Sequence, residues 1–250
     1  MNIKCQEIKP HRSKLAMGLG IVSLVLAGGC QNAPEEKKAA SIWDAPAVVE
    51  KPELSPNYKE TPVLPATNWR KIHSEVWYTD NARVQKWKNT YRKSRDPWKL
   101  WDKSTEYRPI IQEIFAAHQL PNELCMLPML ESSFRTDARS SSNATGLWQF
   151  TKETGEELGL VMNNRIDERL NWKRSTEAAS NYLTQLAQKF NGDWALVLAA
   201  YNMGPGALER AMAEQGVSNY WQLKLRPETM EYVPRFLAML QLLRETYPRP

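Results

Sequence analysis

Cysteine is scarce, with three in 250 residues. Cys5 and Cys30 fall among the first thirty positions, and Cys125 stands alone in an apolar stretch, so a chain cut before Cys30 has no disulfide to form through Cys125 and reads that thiol as core packing. Histidine is equally scarce, and its three copies are isolated. Clustered ligands of the zinc type are therefore excluded, and neither a metal nor any other cofactor is expected. There is no phosphate-cradling glycine loop. No apolar run is long enough to span a bilayer as a mature helix; Leu15 to Leu26 is too short. The chain also lacks an arginine stripe or nucleic-acid motif to go with its basic balance. That balance of 33 basic and 28 acidic residues, +5, is mostly in the leader. Without Lys4, Lys9, Arg12, Lys14 and Glu7 it falls to +2, and nucleic acid is excluded as a partner. Strand-like alternation persists nowhere, and no internal repeat is evident.

What remains divides into three. Residues 1–29 read as a lipoprotein signal peptide, with a basic start, the apolar stretch Leu15 to Leu26, and Leu26-Ala27-Gly28-Gly29 before Cys30. Small residues before a cysteine resemble a bacterial lipobox, although Ala27 stands where leucine is more usual. Cys30 is then the lipidation site, and several acyl chains give stable anchoring where one does not. Gln31 follows it. By resemblance to lipoprotein sorting, the lack of aspartate there implies the outer membrane, with Cys30 in its inner leaflet and the domain on the periplasmic face. Residues 30–67, with Pro34, Pro46, Pro52, Pro56, Pro62 and Pro65 among Ala, Glu and Lys, cannot bury a core and read as a flexible tether. Residues 68–250 are long enough for one domain with an N-terminal helical extension.

Helical spacing recurs along that domain. Val84, Trp87, Lys88 and Tyr91 mark a helix from Asn81 to about Lys93, with Asp80 as its cap. A second begins near Ser104, carries Tyr107, Ile110, Ile111, Ile114 and Phe115 on one face, and ends around His118. Pro121 then opens an apolar run through Leu124, Leu127 and Leu130, in which Pro128 predicts a kink. Ser175 to Phe190 is amphipathic, and Trp194 to Tyr201 is apolar all round, which predicts a central helix. Pro205 opens the next helix, ending near Gly216. The last runs from about Pro227 to Thr246 across Pro234. The domain is expected to be all-α, and a small hairpin between Ser140 and Gln149 is the one place left for β structure.

Glu131 ends the apolar run. Burial and a negative helix end both raise a carboxyl pKa and favour a protonated acid. A buried glutamate needs a partner or a task, and Ser132 is placed to donate to it. Gly146-Leu147-Trp148-Gln149-Phe150 and Ala200-Tyr201-Asn202 supply polar groups and aromatic faces but no second acid. Asp137, Asp167 and Asp193 are the other carboxylates in range, and surface or capping roles fit them better. Trp148 and Phe150 read as core.

Six segments stand in order. They are Leu120-Pro121-Asn122-Glu123-Leu124, Glu131-Ser132-Ser133-Phe134, Gly146 to Phe150, Phe190-Asn191-Gly192-Asp193-Trp194, Ala199-Ala200-Tyr201-Asn202-Met203-Gly204 and Glu228-Thr229-Met230-Glu231-Tyr232-Val233-Pro234. Over roughly 80–245 the chain resembles lytic transglycosylases of the goose-lysozyme-like family. It departs at Ser140 to Thr145, where the family tends to be rich in Gly and Ala; Asn143 can take a left-handed turn there. The resemblance implies a lysozyme-like helical domain with a substrate cleft. It also implies peptidoglycan glycan strands as substrate, cut between N-acetylmuramic acid and N-acetylglucosamine. Glu131 is then general acid and afterwards base, without a second essential carboxylate, and the product is a 1,6-anhydro sugar. Ser132, Gln149, Tyr201, Asn202 and Tyr232 fall on cleft positions, with Tyr201 or Tyr232 helping to place the acid. Two other readings stay open: a hydrolytic lysozyme on the same fold, and a weakly active peptidoglycan-binding scaffold. The sequence names no protein partner.

Overall fold

The computed structural model describes residues 67–247. The leader, Cys30 and the tether up to residue 66 lie outside the described residues.

Helix α1 (Ala82–Ser94) opens at Asn81, whose Oδ1 accepts from the N–H groups of Arg83 and Val84, each at 3.1 Å. Such a cap is worth about 1 kcal/mol. The expected cap, Asp80, instead accepts from Gln85 Nε2 at 2.6 Å. Arg95, in the left-handed region at φ 58°, closes α1 and at once opens α2 (Asp96–Lys103), a helix the sequence spacing did not reveal. A 3₁₀ turn, Ser104–Glu106, takes the place of the expected start of the next helix, so α3 is confined to Arg108–Ala117. Its buried stripe is Ile111, Ile114 and Phe115.

The apolar run after Pro121 is not one kinked helix. It is a 3₁₀ turn, Asn122–Met126, followed by the short α4 (Leu127–Glu131), with Pro128 in the first turn of α4. A proline there sacrifices no helical hydrogen bond, because first-turn N–H groups have no intrahelical partner. The predicted kink is thus a helix start.

Helix α5 (Lys152–Glu157) is short and capped by Thr151 Oγ1. Helix α6 (Trp172–Lys189) starts three residues before the expected Ser175, because Asn171 Oδ1 caps it through Arg174 N. Helix α7 (Trp194–Met203) begins at Asp193, whose Oδ1 accepts from Ala195 and Leu196 N–H at 3.0 and 3.1 Å. Trp194 through Ala200 are all buried, as a central helix requires. Helix α8 (Pro205–Gln215) follows, stopped by left-handed Gly216. The last helix, α9 (Pro227–Thr246), carries Pro234 in its interior.

Helix α7 packs against α6, α8 and α9, and α1 lies along α9. The fold is all-α among the described residues. The expected hairpin is reduced to isolated bridges, Arg139 with Thr145 and Thr145 with Phe150. Cys125 is a free, fully buried thiol in the core, its pKa pushed up to about 12 by burial. Among the described residues no helix is long and apolar enough to cross a membrane.

Candidate active site

Glu131 is the last residue of α4. The chain reverses directly after it. Pro128 O accepts from the N–H groups of Ser132 and Phe134, each at 3.1 Å. Ser133 and Phe134 are both left-handed, at φ 53° and 54°. Left-handed backbone in residues with a Cβ costs on the order of 1–2 kcal/mol each. Phe134 offsets this by being fully buried and stacked on Tyr107, with ring centroids 6.0 Å apart. Core packing therefore holds Glu131 at a sharp corner.

The facing segment is 146–150. Leu147, Trp148 and Phe150 are buried in the core. Trp148 Nε1 donates to Thr176 Oγ1 at 2.9 Å. Arg169 fastens the loop from below. Its Nη1 donates to Asn143 O and Phe150 O, both at 3.1 Å, while Nε and Nη2 hold the Asp167 carboxylate at 2.9 and 2.8 Å. Gly146, at φ 83°, lies so close that a Cβ there would meet Arg169 O at 1.9 Å. Only glycine fits that crossing. Asn143, at φ 60°, takes the left-handed turn anticipated for it.

Two candidate residues meet directly. The Tyr232 hydroxyl on α9 donates to Glu131 Oε1. Burial raises the Glu131 pKa to about 7; the Tyr232 bond opposes that rise, Glu228 adds to it and Arg235 opposes it. The cause is mainly burial, since α4 is only five residues long and has a weak dipole. At about 7 the carboxyl is divided between its acid and base forms near neutral pH, as a group that must give and then take a proton requires.

The other candidates have hydrogen-bond partners of their own. Ser132 is buried, and its hydroxyl donates to Leu147 O at 2.9 Å rather than to Glu131. A hydroxyl has one proton to give, so Ser132 ties the end of α4 to the facing loop. Tyr201 donates to Trp148 O at 2.8 Å and packs near Tyr182 and Phe150, at 5.6 and 6.2 Å. Its pKa is raised well above the ordinary value by burial first, then by Glu131 and Tyr182. Tyr232, not Tyr201, is thus the tyrosine bonded to the acid. Gln149, left-handed at φ 51°, donates from Nε2 to Gly146 O at 2.8 Å and to Ala138 O at 3.3 Å, closing its own loop. Asn202 Oδ1 accepts from Thr229 Oγ1 at 2.7 Å, which fixes its amide against α9.

The three aspartates have surface or structural places. Asp167 is bound to Arg169, which holds its pKa below the usual range. Asp193 caps α7, and Asp137 is exposed. Sequence reasoning missed Glu228 and Arg235 as the charges felt by Glu131. Their signal was present: with Tyr232 they are spaced i, i+4, i+7 along one face of a helix.

The described residues form an all-α domain in which the half-buried Glu131 carboxyl is bonded by a tyrosine from the last helix, beside a loop pinned at Gly146, an arrangement suited to acid–base chemistry. Residues 108–224 match the family model described as "Transglycosylase SLT domain". The chain is 34% identical over 174 residues to "Membrane-bound lytic murein transglycosylase D" of Escherichia coli (strain K12), covering 67% of this chain and 38% of that protein. It is 40% identical over 85 residues to "Peptidoglycan transglycosylase gp16" of Escherichia phage T7, covering 34% of this chain and 6% of that one. Among solved structures, the 70 kDa soluble lytic transglycosylase from Escherichia coli aligns at TM-score 0.47 and 20% identity, over 60% of this chain and 27% of that chain. The chain therefore spans 38% of the length of the Escherichia coli curated relative.

Proposed function

We propose that residues 68–250 are the catalytic domain of a peptidoglycan lytic transglycosylase, reached through a signal peptide at 1–29 and a tether at 30–67. The observation that carries the reading is the Glu131 carboxyl, raised to about 7 by burial and bonded to Tyr232, within a transglycosylase SLT domain.

Protonated Glu131 gives its proton to the glycosidic oxygen between N-acetylmuramic acid and N-acetylglucosamine, and the C1–O bond breaks. The substrate's own N-acetyl oxygen stabilises C1, in place of a second carboxylate. Glu131, now a carboxylate, takes the proton of the muramyl C6 hydroxyl as that oxygen bonds to C1. The acid is restored, no water is consumed, and a 1,6-anhydromuramyl end leaves. Attack from within the same sugar has a high effective concentration relative to water. Tyr232 aims the acid. Tyr201, Gln149 and Asn202 shape the cleft that holds N-acetyl and hydroxyl groups, and Ser132 locks the floor beneath them.

The test is mass spectrometry of muropeptides released from purified sacculi by the purified protein. Anhydro products, one water lighter than reducing sugars, are expected. Products that all carry reducing ends would make the protein a hydrolytic lysozyme, and binding without release would make it a scaffold. Cys30 lipidation and placement on the periplasmic face of the outer membrane belong to the same proposal. They are supported by the Leu26 to Gln31 pattern and by the membrane-bound name of the Escherichia coli relative.

A further inference from the structure

Helix α1 precedes the segment matched by the SLT family model, yet it grips the part of α9 that carries Tyr232. Trp87 Nε1 donates to Glu231 Oε2, and Lys86 Nζ lies 3.0 Å from Glu231 Oε1. Four residues on, Arg235 Nε donates to the Tyr91 hydroxyl at 3.3 Å, and its guanidinium lies 5.1 Å from the centre of the Trp87 ring. Trp87 and Tyr91 are themselves packed together, with centroids 5.6 Å apart. At about 100° per residue, Arg235 falls some 40° round the helix from Glu231, and Tyr232 some 100°. Arg235 thus sits between the side facing α1 and the side facing Glu131. Both gripped residues straddle Tyr232 in sequence.

We propose that Trp87 and Tyr91 are positioning residues of the site: by holding Glu231 and Arg235 they fix the turn of α9 that carries Tyr232, and through its hydroxyl they aim Glu131. The proposal rests on the reading of Glu131 as the acid. The groups that face Glu131 are Tyr232, Glu228 and Arg235 from α9 and Tyr201 from α7. Of these, Tyr232 and Arg235 stabilise its ionised form, and both depend on the grip of α1. Loosening that grip must therefore move the titration of Glu131 upward.

The experiment uses the full chain and four variants: Trp87→Phe, which keeps a ring but loses the N–H; Tyr91→Phe; Glu231→Ala; and Glu231→Gln, which keeps an oxygen for Trp87. Glu131 is titrated by carboxyl NMR, and turnover is followed on sacculi. In Trp87→Phe, Tyr91→Phe and Glu231→Ala the Glu131 midpoint should rise by roughly half a pH unit. The value of kcat should fall roughly tenfold, with KM unchanged because the proposed cleft groups Gln149, Tyr201 and Asn202 are untouched. Glu231→Gln should recover most of the rate. An unmoved midpoint overturns the proposal, whether or not kcat falls, since lost rate alone would mark a structural helix. A wild-type protein that releases no anhydro sugar while the midpoints still move would overturn the transglycosylase reading and leave the positioning role standing.

Discussion

Replacing Glu131 with glutamine should make the protein more stable while it abolishes activity, and the gain should depend on pH. The Glu131 pKa is raised from 4.5 to about 7 in the folded state. Below about pH 4.5 the side chain is protonated both folded and unfolded, and folding carries no penalty from it. As pH rises towards 7 the unfolded chain releases this proton while the folded chain keeps it, so the folded state binds more protons and stability falls. Above about 7 the loss is complete. One pKa unit is worth about 1.4 kcal/mol, which caps the effect near ~3 kcal/mol. Glu131 is only half-buried, and solvent screening reduces the expected gain to about 1–2 kcal/mol. Glutamine keeps the size and accepts from Tyr232, so no cavity or unpaired hydroxyl offsets the gain. For a domain of this size, roughly 2–4 °C of melting temperature accompanies each kcal/mol. Melting followed by circular dichroism from pH 4.5 to 8.5 should show the glutamine variant about 2–8 °C above wild type at pH 8 and nearly level with it at pH 4.5, on the same scale. Its turnover should be lower by at least ~10²-fold. An equal gap at both pH values, or a less stable variant at pH 8, would refute the claim that burial sets the Glu131 pKa.

Gly146→Ala should cost ~3 kcal/mol or more in urea unfolding, because the new methyl would lie 1.9 Å from Arg169 O at a backbone φ of 83°; a variant with the wild-type midpoint would show that the loop is not pinned there. Cys30→Ser should move the protein from the outer-membrane fraction to the soluble periplasm, or leave its signal uncleaved. Fractionation identical to the parent would remove the lipid anchor from the reading.

Elements that bury a regular stripe were legible in the sequence. Helices α1, α3 and α6 carry apolar residues at helical spacing, α7 is apolar all round, and α8 and α9 open at Pro205 and Pro227, so their existence followed from pattern and boundary residues. Helices α2 and α5, of eight and six residues, were not seen. A helix that short is marginal on its own propensity and forms because its neighbours need it. Pro128 was misread because a proline within a helix and one in a first turn look alike until the preceding turn is known to be 3₁₀. Asp80 and Asn81 are both good caps by chemistry, and only the backbone direction decides between them.

The site was legible as a set of residues and opaque as a set of contacts, and the reason is distance along the chain. Glu131 could be found because the run before it is apolar. The hydroxyl bonded to it comes from Tyr232, 101 residues away. The hydroxyl of Ser132, next to the acid, was expected to serve it, but a better acceptor, Leu147 O, arrives from 15 residues on. Local rules also fail where the acid sits: Ser133, Phe134 and Gln149 take left-handed backbone without being glycine. Such breaches persist only where surrounding packing over-determines them, and they gather at functional sites. Here the packing is identifiable in Phe134 on Tyr107, Trp148 on Thr176, and Arg169 beneath the loop. The corner at Glu131 is therefore held by residues that do not bond its carboxyl. A substitution at any of them should lower turnover by moving the acid, before it removes any group the glycan touches.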